Sequence, residues 1–167
     1  LAATHVGILS STSSDLPSRI DLMAERIESA RLDRSISRAA LDILAQAPDG
    51  DSVLHGNFHP GNVFVTMAEP MVIGWIDAAR GHPSADIART QWLLSGTETP
   101  GEGLNRRVVD RLRKGFVKQY LARVTRGMAA NRKVIDAWRI PTLAARLAEG
   151  VESEEPQITA ELERLVG

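Results

Sequence analysis

Apolar residues recur every three or four positions along most of the chain, the spacing that places them on one face of a helix. This pattern predicts helices over residues 16–31, 34–47, 83–94, 104–124, 129–139, 141–149 and 156–166. The apolar residues 1–9 have the character of the end of a helix. Proline, aspartate and glycine at positions 48–50 end the helix before them.

The spacing of apolar residues changes between the second and third of these predicted helices. Residues 52–54, 62–66 and 71–76 are short runs rich in valine, isoleucine and aromatic residues, separated by turns that contain proline and glycine. Such runs are typical of β-strands. The sequence therefore predicts a mainly α protein with a small β element (α+β), folded as a single domain over residues 1–167.

Composition narrows the classes of function. With 20 basic and 21 acidic residues the formal net charge is -1, so no overall positive field attracts nucleic acid or an anionic membrane. The absence of cysteine from the sequence excludes disulfides, thiolate nucleophiles and iron–sulfur clusters built by this chain. No apolar run reaches the length of a bilayer span. We expect a cytoplasmic domain whose partners are neither nucleic acid nor membrane.

The residues suited to chemistry concentrate in residues 53–88, above all in the polar run over residues 55–62. The predicted strands and turns place Asn57, Asn62 and Asp77 at the ends of neighbouring strands. Because side chains at the ends of adjacent strands converge, we expect these three residues to lie close together.

This segment resembles the catalytic segment of the aminoglycoside phosphotransferase and choline kinase-like family, whose pattern is His-Gly-Asp, then Asn, then Ile-Asp. The matching residues are His55, Gly56, Asn62, Ile76, Asp77, Gly81, Pro83, Asp86, Ile87 and Ala88. The similarity extends from the Leu-x-x-x-His of residues 1–5 to the closing helices. It implies a protein-kinase-like C-terminal helical lobe, with the N-terminal nucleotide lobe absent from this chain.

The resemblance also implies an activity, the ATP- and Mg²⁺-dependent transfer of a phosphoryl group to the hydroxyl of a small molecule. Such transfer asks a protein mainly for positioning and charge neutralisation, and Mg²⁺ prefers hard oxygen ligands. By resemblance, Asn62 and Asp77 are the metal ligands. His55 and Asp86 would support the loop that carries them.

One residue departs from the family's pattern at its catalytic position. Asn57 stands where the family has the aspartate that orients the acceptor hydroxyl and takes its proton. An amide can hold a hydroxyl but cannot accept its proton as a carboxylate does, and a positioned base contributes about 10²- to 10⁴-fold in rate. Two hypotheses remain: a phosphotransferase impaired at Asn57, or a non-catalytic, degenerate kinase-like lobe that binds a ligand or partner.

The motifs do not identify the acceptor, and the residues near the family's substrate end allow two interpretations each. Trp138 is a candidate for the acceptor pocket by analogy, yet we expect it in the core together with Trp75 and Trp92. Glu149 belongs to an acidic cluster, residues 149–155, that suits either a cationic acceptor or a solvated turn.

Two further expectations concern His59 and the surface of the lobe. His55 and His59 have the spacing of some zinc pairs, but Gly56 and Pro60 prevent the helix that would bring them to one face. His59 is then a loop residue.

A lobe by itself exposes apolar surface, so we expect an N-terminal lobe or a second copy of the chain to cover it.

Overall fold

The computed structural model describes residues 1–96 and 106–167, with the backbone alone described at Arg106. The described helices are α1 (Ala2–Leu9), α2 (Arg19–Ser29), α3 (Arg34–Ala45), α4 (Pro83–Ser95), α5 (Arg106–Gly127), α6 (Arg132–Ala137), α7 (Arg139–Leu147) and α8 (Glu155–Val166). The strands are β1 (Ser52–Leu54), β2 (Val63–Phe64), β3 (Met71–Val72) and β4 (Ala79–Gly81). Residues 97–103 of the predicted loop and the predicted helix start at Leu104 lie outside the described residues.

The structure confirms the mainly α fold with a small β element. Strand β1 pairs antiparallel with β4, and β2 pairs antiparallel with β3. The prediction missed β4, which is three residues long and is held by a strand distant in sequence. The strand predicted over 71–76 ends at Val72, because Gly74 adopts a φ of 79° and the chain then forms a 3₁₀ turn over Trp75–Asp77.

Local capping explains where the helices begin. Side chains of Ser18, Asp33 and His82 accept hydrogen bonds from backbone N–H groups in the first turns of α2, α3 and α4. The expected helix start at residue 16 is therefore wrong, since the carbonyl of Pro17 accepts a hydrogen bond from the N–H of Arg80 at 2.9 Å. Pro17 and Ser18 therefore lie beside Arg80 of β4, ahead of the helix.

Two apolar clusters hold the helices together. The larger one joins the first five helices with α6 and α7, and includes Leu9, Ile27, Leu44, Ile87, Val124, Ile135 and Trp138. The smaller one joins α3, α7 and α8 through Ile36, Leu143, Ile158 and Leu162. None of the described helices is long and apolar enough to cross a membrane.

The β2–β3 pair and the turn after it carry apolar side chains outside the core. We call these residues the apolar strip: Phe64, Val65, Met67, Met71, Ile73, Trp75 and Ile76. The expectation that Trp75 is a core residue is wrong, because its side chain is 41% exposed. A two-stranded hairpin has no second layer to cover that face. Ile76, in the same turn, is 95% exposed.

Candidate active site

A buried carboxylate organises the loop between β1 and β2. Asp86, in the first turn of α4, accepts hydrogen bonds from the backbone N–H groups of His55 and Gly56, each at 2.8 Å. Asp86 is 1% exposed. Burial alone would raise the pKa of this carboxyl, but the hydrogen bond and charge of His5, the charge of Arg19 and the His55 N–H together hold it well below its usual value.

A chain of buried polar side chains connects Asp86 to α1 and α5. The Nε2 of His5 lies 3.0 Å from Asp86 Oδ2, and its Nδ1 lies 2.6 Å from the hydroxyl of Tyr120. Because a carboxylate only accepts, His5 Nε2 donates to Asp86. Phe58, from the loop itself, stacks on His5 with ring centroids 4.2 Å apart. Burial and the charge of Asp86 raise the pKa of the Tyr120 phenol.

The ring of His55 spans the loop and β3. Its Nδ1 accepts a hydrogen bond from the N–H of Asn57 at 3.2 Å, so Nε2 carries the proton and donates to the carbonyl of Ile73 at 2.9 Å. The imidazole is fully buried. These contacts place His55 where it can brace the backbone around Asn57.

Asn62 is held by a capped turn. His59 Nδ1 accepts from the N–H of Gly61 at 3.1 Å and so caps the 3₁₀ turn Pro60–Asn62. Burial and the neighbouring positive groups lower the pKa of His59, which keeps its ring able to accept at neutral pH. Asn62 Nδ2 donates to the carbonyl of Asn57 at 2.9 Å, so the amide oxygen remains as the ligand atom that Asn62 can offer.

Asp77 ends the 3₁₀ turn Trp75–Asp77 and not a strand, so this part of the predicted site geometry is wrong. Arg26 Nη2 lies 2.6 Å from Asp77 Oδ1, and Arg19 donates to the Asp77 carbonyl. Burial alone would raise the pKa of Asp77, but the hydrogen bond and charge of Arg26 and the charges of other arginines lower it below its usual value. Asp77 is therefore ionised at neutral pH.

A close approach of two backbone segments brings the three site residues together. Gly56 has a φ of 77°, and a Cβ at this position would lie 2.7 Å from the Cβ of Asp77. Asn57 follows Gly56 in the chain, and its carbonyl holds the amide of Asn62. The segments that carry Asn57, Asn62 and Asp77 thus lie next to one another, and they do so through turns instead of strand ends.

The donor set fits a magnesium ion bound together with phosphates. An amide oxygen from Asn62 and an ionised carboxylate from Asp77 are both hard oxygen ligands. Mg²⁺ bound to few protein ligands completes its shell with water and substrate phosphates. Arg26 contacts the same carboxylate that the ion would use.

Glu149 differs from its expected position, whereas Trp138 lies in the core as expected. Glu149 bonds to Arg26, Arg89 and Arg146, and its side chain is 17% exposed. Burial alone would raise the pKa of Glu149, but Arg89 and Arg146 lower it. The expectation of a solvated turn is therefore wrong for Glu149. Trp138 is 1% exposed in the main core, so its indole offers no surface to a ligand.

Sequence reasoning missed the arginines of this region. Arg26, Arg89 and Arg146 bind Glu149, and Arg146 also binds Glu154, which accepts a hydrogen bond from the indole of Trp92 at 2.9 Å. We call Arg26, Arg89, Arg146, Glu149 and Glu154 the arginine–glutamate network. Its members come from α2, α4, α7 and the segment before α8, so helix periodicity could not pair them.

Comparison with known families agrees with the motifs. The sequence model of the APH phosphotransferase enzyme family matches residues 11–138. The chain belongs to this family. The matched range includes all the residues from His55 to Asp86 and ends at Trp138, so Glu149 lies beyond it. No curated protein matches the chain. Membership in the APH family confirms the resemblance inferred from the sequence and makes the chain a member of a phosphotransferase family.

Proposed function

We propose that this APH-family chain carries the metal and acceptor side of an ATP- and Mg²⁺-dependent phosphotransferase that acts on the hydroxyl of a small molecule. The observation that carries the proposal is the close approach of the turn that ends at Asp77 to the loop that carries Asn57 and Asn62, which is tied to buried Asp86. A site built on backbone held by a core carboxylate keeps its geometry before any ligand arrives, as positional catalysis requires.

Each residue has a distinct task in this proposal. Asn62 and Asp77 would hold Mg²⁺, and the bound ion would neutralise charge on the transferred phosphoryl group. Asn57 would hold the acceptor hydroxyl through its amide. His55 and Asp86 would act through the backbone, since both bond to the loop and neither presents an exposed group. An enzyme that uses ATP in this way would work in the cytoplasm.

A second candidate function is a non-catalytic kinase-like lobe that binds a ligand or partner. The observation that favours it is Asn57 itself, because an amide cannot take the acceptor's proton.

In both proposals another protein surface must cover the exposed apolar strip next to Asp77. We propose that a nucleotide-binding N-terminal lobe covers it, and a dimer of the chain would be the alternative result of a mass measurement in solution.

Calorimetric titration of ATP into the complete gene product, with and without Mg²⁺, tests the phosphotransferase proposal. We expect ATP binding that depends on Mg²⁺ and that the variant Asp77→Asn loses. Asp42→Asn, an exposed change on α3, is the matched control and should bind as the wild type does. Binding of ATP by neither the wild type nor the control would overturn the enzyme proposal and favour the non-catalytic lobe.

A further inference from the structure

The guanidinium of Arg26 contacts two carboxylates from different parts of the chain. Arg26 lies in the last turn of α2; its Nη2 is 2.6 Å from Asp77 Oδ1 and its Nη1 is 3.2 Å from Glu149 Oε1. The side chains of Asp77 and Glu149 are each 17% exposed. Arg26 therefore bridges the turn that carries the candidate metal ligand to the segment after α7.

The ion pair between Arg26 and Asp77 competes with the binding of a divalent ion to Asp77. A carboxylate oxygen bonded to a guanidinium has part of its acceptor capacity in use, and Mg²⁺ must approach such oxygens to about 2.1 Å. The fixed positive charge of Arg26 also repels a second cation at the same oxygens. Metal binding at Asp77 is therefore easier when Arg26 withdraws.

Glu149 offers Arg26 a place to remain when it leaves Asp77. Arg89 and Arg146 bond to the carboxylate of Glu149 and keep it in place independently of Asp77. A half-buried arginine that loses one partner keeps the other, so its charge is not left unpaired in the protein interior. The bridge can open at one end without breaking the arginine–glutamate network.

We propose that Arg26 occupies the carboxylate of Asp77 in the metal-free chain and that a divalent cation displaces it, with Arg26 retained by Glu149. The inference rests on the proposed function, because it takes Asp77 as a metal ligand. Arg26 then acts as an internal competitor that raises the metal concentration at which the site fills. The arginine–glutamate network sets the resting position of that competitor.

Titration with Mg²⁺ alone, followed by the amide NMR signals of Asn62 and Asp77, tests the inference without an activity assay. A neighbouring opposite charge shifts the proton affinity of a carboxylate by about one to three pKa units. We therefore expect the metal site of the Arg26→Gln variant to fill at a Mg²⁺ concentration at least about tenfold lower than that needed to fill the wild-type site. Arg89→Gln is the matched control: it removes a charge that contacts Glu149 but not Asp77, and it should change the affinity much less.

Three results separate the proposals. Equal tightening by Arg26→Gln and Arg89→Gln would overturn the displacement and leave only a general charge effect. Equal affinity in wild type and Arg26→Gln would overturn the inference while keeping the metal site. Absence of any Mg²⁺-dependent shift in both, without ATP and with ATP present, would overturn the proposed function as well. In the wild type, the Arg26 Nε–H signal should move together with the Asp77 amide, and a stationary signal would contradict displacement even if the variants fail to fold.

Discussion

Asp86 and His5 are 81 positions apart in the sequence, and their side chains meet at 3.0 Å in the interior. The contact joins α1 to α4 beneath the loop that carries Asn57. Asp86 also accepts hydrogen bonds from the N–H groups of His55 and Gly56, so the loop is anchored to the helical core. The position of Asn57 is therefore set by folding.

The acid dependence of stability should reflect Asp86. The pKa of its carboxyl is far lower in the folded chain than in the unfolded chain, so the folded state binds this proton less readily. Its stabilisation is complete above the ordinary aspartate pKa of about 4 and is lost as pH falls towards the folded value. We expect the free energy of unfolding, measured in urea, to fall steadily as pH is lowered from about 5 to 2.

Asp86→Asn isolates that contribution. The variant should lose about 3 kcal/mol of stability at neutral pH, since an amide nitrogen would face donors and the buried pair is broken. Its unfolding free energy should then depend less on pH between about 5 and 2 than that of the wild type. The lowered pKa values of Asp77 and Glu149 act in the same direction and remain in both proteins. Identical pH slopes in the two proteins would contradict this role of Asp86.

Asn57→Asp should increase phosphoryl transfer if the chain has the proposed chemistry. A carboxylate at this position can accept the proton of the acceptor hydroxyl, and such a base contributes about 10²- to 10⁴-fold in rate. Turnover of ATP by the complete gene product, measured with amino sugars, choline analogues and sugars, checks the effect. Asn57→Ala is the control, and we expect no gain from it.

The same substitution also separates the two candidate functions. Asn57→Asp changes no volume and keeps the backbone N–H that bonds to His55, so its unfolding curve should match that of the wild type. Turnover only in the aspartate form would identify Asn57 as the cause of weak catalysis. A well-folded aspartate form without turnover would favour the non-catalytic lobe.

Gly56→Ala should separate Asp77 from the loop. Gly56 has a φ of 77°, and a methyl group there would meet the Asp77 backbone and the Arg19 guanidinium as well as the Asp77 side chain. We expect a loss of at least about 2 kcal/mol, measured by urea unfolding. Gly7→Ala is the control: Gly7 lies in α1 with no atom near its Cβ position, so alanine should stabilise the chain by about 0.5 to 1 kcal/mol. A fully stable Gly56→Ala would contradict the described approach.

His82→Asp should stabilise α4. His82 Nδ1 accepts the N–H of Ser84 at 3.2 Å, and burial lowers the pKa of the imidazole, which keeps this acceptor available at neutral pH. An aspartate can make the same cap and adds a negative charge at the helix N-terminus, for an expected gain of about 0.5 to 1 kcal/mol in thermal unfolding. His82→Ala should lose about 1 kcal/mol. Equal stability of the two variants would show that the cap contributes nothing.

Much of the fold and the site could be predicted from local sequence. Helical periodicity located the helices, while His55-Gly56 with Asn62 and Asp77 identified the family and the loop. These features are local because a turn, a cap or a short motif depends on neighbours in the chain. The replacement at Asn57 is likewise visible without coordinates, and it raises the main question about activity.

The tertiary structure decided which distant residues pair with each other. The bonds of His5 to Tyr120 and of Arg26 to Asp77 and Glu149 depend on how helices pack, and a charged residue on a helix face carries no local sign of its partner. The exposure of Trp75 is similar, because a hydrophobic residue is buried only where another layer covers it. Sequence alone therefore determined the candidate site residues, and packing decided which charges surround them.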